Sequence, residues 1–144
     1  TTPYLIIDEQ MEQALITAVK SGVDVRIVTP GIPDKKIVNE TTKSYYPNLI
    51  RNGVKIYEYQ PGFIHAKTFL CDDKYATVGS INLDYRSLYL HFECGVWMYK
   101  TSCIKDIKDD FIGIFAESKE AEETKCGFIR QMFRGVMELL APLL

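Results

Sequence analysis

In its first 59 residues the chain alternates short apolar runs with stretches of helical spacing, and that alternation limits the available folds more than any other feature. Leu5-Ile6-Ile7 reads as a strand. Asp8 then stands where a helix N-cap is needed. Met11, Ala14, Leu15, Ala18 and Val19 recur at helical spacing, and Gly22 supplies a left-handed stop. Val23 to Val28 predicts a second strand with Val23, Val25 and Ile27 on one face, closed by Pro30-Gly31. A second helix is expected from near Asp34 toward Asn52-Gly53, kinked or restarted at Pro47, which has no backbone hydrogen to donate. Val54 to Tyr59 completes the series. Right-handed crossovers between parallel strands produce this order, so an α/β fold is expected.

After Pro61-Gly62 the pattern changes. Phe63 to Cys71 and Tyr75 to Gly79 read as two short strands joined by the turn Asp72-Asp73-Lys74, and Phe92 to Tyr99 as a third. Helical spacing returns at Ile104. The acidic, glycine-free stretch Glu117 to Lys125 then precedes an apolar helix expected over 127–144, which carries Phe128, Ile129, Met132 and Phe133 with Arg130 and Arg134 as its main cations. Such spacing suits packing on a sheet or contact with a membrane or interface. A chain of 144 residues with 47% hydrophobic residues can build one packed core, so a single domain over 1–144 is expected. Thr1-Thr2-Pro3-Tyr4 leads straight into a strand without an initiator methionine, which suggests a piece of a longer protein.

A formal net charge of -2 gives no global basic field, so any anion must be held locally and nucleic acid is not an expected partner. Cys71, Cys94, Cys103 and Cys126 are widely spaced and show neither a zinc pattern nor a disulfide framework. A reduced, cytoplasm-facing setting is the simplest reading. No apolar run approaches the length that spans a bilayer, so by itself the segment is expected to be soluble or peripheral.

The stretch from Ile64 to Ser87 carries the chemistry. His65-Ala66-Lys67 is followed after four residues by Asp72, after six more by Gly79-Ser80, and then by Asn82 and Asp84-Tyr85-Arg86-Ser87. Residues two apart on a strand face the same way, so His65 and Lys67 are expected on one face with Cα atoms roughly 6.6 Å apart. A phosphodiester is anionic; attacking it takes fixed positive charge, directed donors and a nucleophile that is un-ionised near neutral pH. Neutral imidazole from His65 meets the last need. Lys67 supplies charge, and the Ser80 hydroxyl and Asn82 amide, arriving on the neighbouring hairpin arm, are placed to donate to the same oxygens. Asp84 and Arg86 are expected to form a local ion pair in their loop.

This spacing resembles the HKD signature of the phospholipase D superfamily, with every named position filled. The surrounding words resemble bacterial cardiolipin synthases: Ser21-Gly22-Val23-Asp24-Val25-Arg26, Gly53-Val54-Lys55-Ile56-Tyr57-Glu58-Tyr59, Pro61-Gly62-Phe63-Ile64-His65-Ala66-Lys67 and Asn82-Leu83-Asp84-Tyr85-Arg86-Ser87. The resemblance implies a mixed α/β sheet flanked by helices that supplies one HKD half-site. It further implies His65 as the residue attacking phosphorus, Lys67 and Asn82 on the phosphate, Ser80 lining the pocket, and Asp72 supporting the motif locally. Glu93, after Phe92, matches a carboxylate that orients the catalytic imidazole, and His91 stands where the family usually has Asn.

Family members place two such motifs at one cleft, one histidine attacking and the other protonating the leaving alcohol. This chain has two histidines, His65 and His91, and His91 is expected to be structural or solvent-facing. The second motif must therefore come from an N-terminal half of a longer protein or from a second copy of the chain. The implied reaction joins two phosphatidylglycerol molecules into cardiolipin with release of glycerol, through a phosphohistidine and with neither metal nor organic cofactor. The implied location is the cell membrane for the full-length protein, with this domain facing the cytoplasm. A phospholipase D, a phosphatidylserine synthase, a dimeric nuclease and a non-catalytic headgroup-binding or docking domain are the other readings.

Overall fold

The computed structural model describes residues 1–123, Met132 and Gly135. The helix expected over 127–144 and Cys126 therefore lie outside the described residues, apart from Met132 and Gly135.

The first half follows the expected alternation. Strand β1, Leu5–Ile6, leads to helix α1, Glu9–Lys20, whose N-cap Asp8 accepts a hydrogen bond from the Met11 amide at 2.8 Å. Gly22 takes the left-handed turn at φ 91°. Strand β2 is Arg26–Pro30, helix α2 is Lys36–Arg51 and strand β3 is Lys55–Tyr59. β2 and β3 pair in parallel from Arg26 opposite Lys55 to Pro30 opposite Tyr59. β2 thus starts later than expected: Val23 stays out of the strand and is exposed, because the backbone at Val23 still bonds back to Ala18 in the helix end. Pro47 lies inside α2 and does not divide it.

Strands β4, Thr68–Cys71, and β5, Tyr75–Gly79, form the expected hairpin, and β7, Gly95–Tyr99, pairs antiparallel with β5. Asp72 and Asp73 turn the hairpin with φ values of 52° and 54°, a left-handed pair that Asp tolerates better than most residues. Between β5 and β7 lie two elements the sequence did not announce: the two-residue strand β6, Leu83–Asp84, parallel to β1, and a π-helical turn, Arg86–Leu90. Helix α3, Cys103–Ala116, follows, and then strand β8, Ser118–Glu120, pairs antiparallel with β3 inside the acidic, glycine-free stretch, where no strand was expected.

The N-terminal residues join these pieces. Thr2 donates its amide to Val28 of β2 at 3.0 Å, and its hydroxyl accepts from the Leu83 amide at 3.0 Å. The Thr68 amide donates to the Thr1 carbonyl at 3.3 Å. Thr1 and Thr2 therefore link β2, β4 and β6, and β1 itself pairs in parallel with β6. Leu5, Ile7, Ile16, Ile27, Leu49, Val54 and Ile56 pack the core between α1, α2 and the sheet. Two hydroxyls within it are satisfied: Thr29 bonds Tyr46 at 2.6 Å, and Thr42 accepts from the Leu5 amide at 3.2 Å. The chain is thus a mixed α/β fold with helices flanking its sheets, as the sequence predicted.

Candidate active site

Ile64 to Lys67 precede β4 outside any assigned strand, so the expected strand over Phe63 to Cys71 is realised only in its last four residues. His65 and Lys67 nevertheless reach each other. Lys67 Nζ lies 3.0 Å from Nε2 and 3.1 Å from Nδ1 of His65, and it donates to the His65 carbonyl at 2.8 Å. The near-equal distances to the two ring nitrogens set the ammonium against the imidazole as a whole, and its directed hydrogen bond goes to the His65 carbonyl. The Phe63 ring stands 5.6 Å from the imidazole, and Phe63 in turn meets Tyr4 at 6.4 Å. Phe63 escaped the sequence reasoning, although an aromatic two residues before the histidine was the available signal.

Gly79 brings the second arm in. It donates its amide to the Lys67 carbonyl at 3.2 Å and lies opposite Gly95 on β7. A Cβ at Gly79 would stand 2.3 Å from the Cys94 carbonyl oxygen and 2.6 Å from the Gly95 Cα, so this motif position admits only glycine without a shift of the strands. The close approach lets Ser80 bond across: its amide donates to the Cys94 carbonyl at 2.9 Å and its hydroxyl accepts from the Cys94 amide at 3.0 Å.

The Ser80 hydroxyl donates to the Glu93 carboxylate, so its proton is already committed within the protein rather than free for a substrate oxygen. That bond holds Glu93 below the usual carboxylate range, against a burial effect in the opposite direction and with help from Ser87, His91 and Lys67. Glu93 Oε1 stands 3.8 Å from Nδ1 of His91, whereas no ion pair within 4.0 Å joins it to His65 among the described residues. The histidine that Glu93 faces is thus His91, whose Nε2 lies 3.2 Å from Arg86. Arg86 does not pair with Asp84 as expected; Asp84 instead accepts the Ser87 amide at 2.7 Å, within the π-helical turn.

Burial lowers the Lys67 ammonium from the ordinary lysine value, and the charges of Glu93 and Asp84 work against that shift. Asn82, in the link between β5 and β6, has a buried Oδ1 without a hydrogen-bond partner. A buried amide oxygen left unpaired is costly. Asp72, by contrast, is not brought to the site. It occupies the far turn of the hairpin, five residues and about 16 Å along an extended chain from Lys67. The structure thus joins His65 to Lys67, Lys67 to Gly79 and Ser80 to Glu93, while Asp72 shapes the hairpin at a distance.

A cavity of about 190 Å³ opens beside Lys67, lined by Phe69, Thr77, Gly79, Ile81, Gly95 and Trp97 among others. Another, of about 200 Å³, lies among Lys43, Glu58, Lys119 and Glu120, away from both histidines. Among the described residues no cluster of His, Cys, Asp and Glu is arranged to hold a metal ion, and no helix is long and apolar enough to cross a membrane.

A mixed α/β scaffold that sets an imidazole against an ammonium, with the Gly-Ser-x-Asn arm alongside, defines a phospholipase-D-like domain. Residues 1–115 match the family "Cardiolipin synthase, PLD-like domain", and the chain belongs to it. It is 51% identical over 146 residues to an uncharacterized protein of Streptococcus mutans and 40% identical over 148 residues to a cardiolipin synthase of Geobacillus kaustophilus, with 99% of the chain covered in each case. It spans 32% and 29% of the length of those two relatives. Among solved structures it resembles Nuc, a phospholipase D family member of Salmonella typhimurium, with a TM-score of 0.69 and 18% identity over 84% of this chain and 79% of that one. At that identity the likeness speaks for the fold.

Proposed function

We propose that this chain supplies one half of a phosphatidyl-transfer site that makes cardiolipin from two phosphatidylglycerol molecules. Membership in the cardiolipin synthase family supports the reaction class. The observation that carries the reading is the contact of Lys67 with His65, which puts fixed charge beside a ring nitrogen.

In the first step an imidazole nitrogen of His65 attacks the phosphorus of one phosphatidylglycerol. An N–P bond forms, the P–O bond to the headgroup breaks, and glycerol leaves with a proton supplied by the histidine of a second motif. In the second step a hydroxyl of another phosphatidylglycerol gives up its proton to that same group and attacks phosphorus, which breaks the N–P bond and frees His65. Water in place of that hydroxyl yields phosphatidic acid. Lys67 offsets the charge on the non-bridging oxygens, and the Asn82 side chain faces the same phosphate. Glu93 positions Ser80 and the β7 entrance.

The second motif comes from another part of the longer protein or from a second copy of this chain, and the membrane is where the complete enzyme meets its lipid. The test uses labelled phosphatidylglycerol and the complete enzyme. His65→Ala should abolish cardiolipin formation and His91→Ala should matter far less; normal turnover in His65→Ala rejects the proposed nucleophile. Mixing this chain with its N-terminal half should restore synthesis if the motifs are split between halves, whereas activity in a dimer of the chain alone points to two copies.

A further inference from the structure

The pairing register extends the site along the sheet. Lys67, Gly79 and Gly95 form one row, and on the same face the next row is Phe69, Thr77 and Trp97. The two glycines leave the floor of the first row without side chains. Phe69 and Trp97 stand on either side of Thr77, and the resulting groove is the cavity of about 190 Å³ that ends at Lys67. Beyond it Trp97 stacks with Tyr99 at 6.1 Å and Tyr99 with Tyr75 at 4.9 Å. Trp97 is 65% exposed and Phe69 37%, whereas an open sheet face ordinarily presents polar side chains to water.

We propose that this groove seats the acyl chain of an anionic phospholipid whose phosphate is held at Lys67; the assignment rests on the reading of Lys67 as a phosphate-binding residue. An apolar slot with one cation at its end matches an anion carrying an alkyl chain in both charge and polarity. Gly95 sets the width. A Cβ there would meet Val78 O at 3.7 Å and Ile81 Cδ1 at 3.8 Å, ordinary contacts, so a larger residue fits the strand while filling the groove.

Trp97 is the chain's one tryptophan, so its fluorescence reports this groove alone. The 144-residue chain is titrated with ethyl, butyl, hexyl and octyl phosphate below their aggregation concentrations, and in parallel with octanol and inorganic phosphate. Affinity should rise about fourfold per buried methylene and level off once the groove is full. Octyl phosphate should bind at least about tenfold tighter than octanol, and Lys67→Gln should remove that preference. Gly95→Val should abolish the dependence on chain length; Gly95→Ala should weaken it, and circular dichroism checks the fold of both.

A response independent of chain length, equal binding of octanol and octyl phosphate, or an unaltered Gly95→Val overturns the proposal. So does a Trp97 signal that follows protein concentration while sedimentation shows paired chains, since the face then meets a second copy. Turnover by the complete enzyme is scored apart. Lost turnover with retained octyl phosphate binding rejects the transfer reading and leaves the groove, whereas full turnover of long-chain lipid in Gly95→Val removes the groove and leaves the transfer.

Discussion

Lys67 Nζ lies 3.0 Å from Nε2 of His65 although the two residues belong to no paired strand. The lysine is partly withdrawn from water, and its charge is favoured by Glu93 and Asp84. Removing either anion withdraws support from the ammonium and lowers the Lys67 pKa further. We expect the amine in Glu93→Gln to lose its proton at a lower pH than in the parent, as followed by NMR of the Lys67 side chain. If transfer needs the charged form, the alkaline limb of the activity profile moves to lower pH in the same variant. An unmoved Lys67 titration would show that Glu93 does not act on it.

Gly79 and Gly95 face each other across the β5–β7 pair but differ in what they tolerate. At Gly79 an added methyl collides with the Cys94 carbonyl at 2.3 Å; at Gly95 it finds ordinary contacts at 3.7 Å and beyond. Gly79→Ala is expected to cost about 1–3 kcal/mol through forced displacement and to disturb the Ser80–Cys94 hydrogen bonds. Gly95→Ala should lie within about 0.5 kcal/mol of the parent. Urea denaturation of the two variants tests this, and equal losses would refute the contrast.

The parallel β2–β3 pair and its crossover helices were legible because periodicity, an Asp cap and glycine stops all agree over residues 5–59. Of the motif residues, the structure shows Lys67 against His65 and Gly79 bonded to Lys67, contacts that the spacing of two along the chain and the hairpin register make possible. What the sequence concealed depends on pairing at long range. β6 and β8 are short polar or mixed strands that exist because β1 and β3 offer edges, and no local pattern announces them. The partner of Glu93 likewise depends on long-range packing. Its direction is set by Ser80 and by the π-helical turn, which brings His91 rather than His65 to its carboxylate. Asp72 stands far from the histidine in space despite its fixed place in the motif.

Asp24 ties the parallel pair together on its exposed edge, 2.5 Å from Arg26 on β2 and 3.0 Å from Lys55 on β3. Its hydrogen bonds to Arg26 and then Lys55 lower its pKa to about 2. The folded carboxyl is thus more acidic than the unfolded one, so the contribution is complete above the unfolded value of about 3.9 and fades as pH falls toward 2. Because the pair is exposed, Asp24→Asn should cost no more than about 1 kcal/mol near neutrality. Thermal unfolding of the variant and the parent should differ at pH 6 to 7 and converge as pH approaches 2; a gap that persists in acid would contradict this origin.

Asn82 separates stability from binding. Its Oδ1 is buried without a partner, so the folded chain carries the desolvation cost of an amide oxygen and receives no internal hydrogen bond in return. An apolar residue of similar size removes that cost. Asn82→Leu is therefore expected to match or exceed the parent in urea denaturation, by up to about 1 kcal/mol, and on the proposed role of the Asn82 amide as a donor to phosphate the affinity for an alkyl phosphate falls severalfold. Asn82→Asp should fare worse in binding, since a carboxylate beside the Lys67 site repels the anion. The alternative is a purely structural asparagine, and it predicts the opposite pairing: a destabilised Asn82→Leu with unchanged affinity. Measuring unfolding and octyl phosphate titration on the same three proteins decides between them.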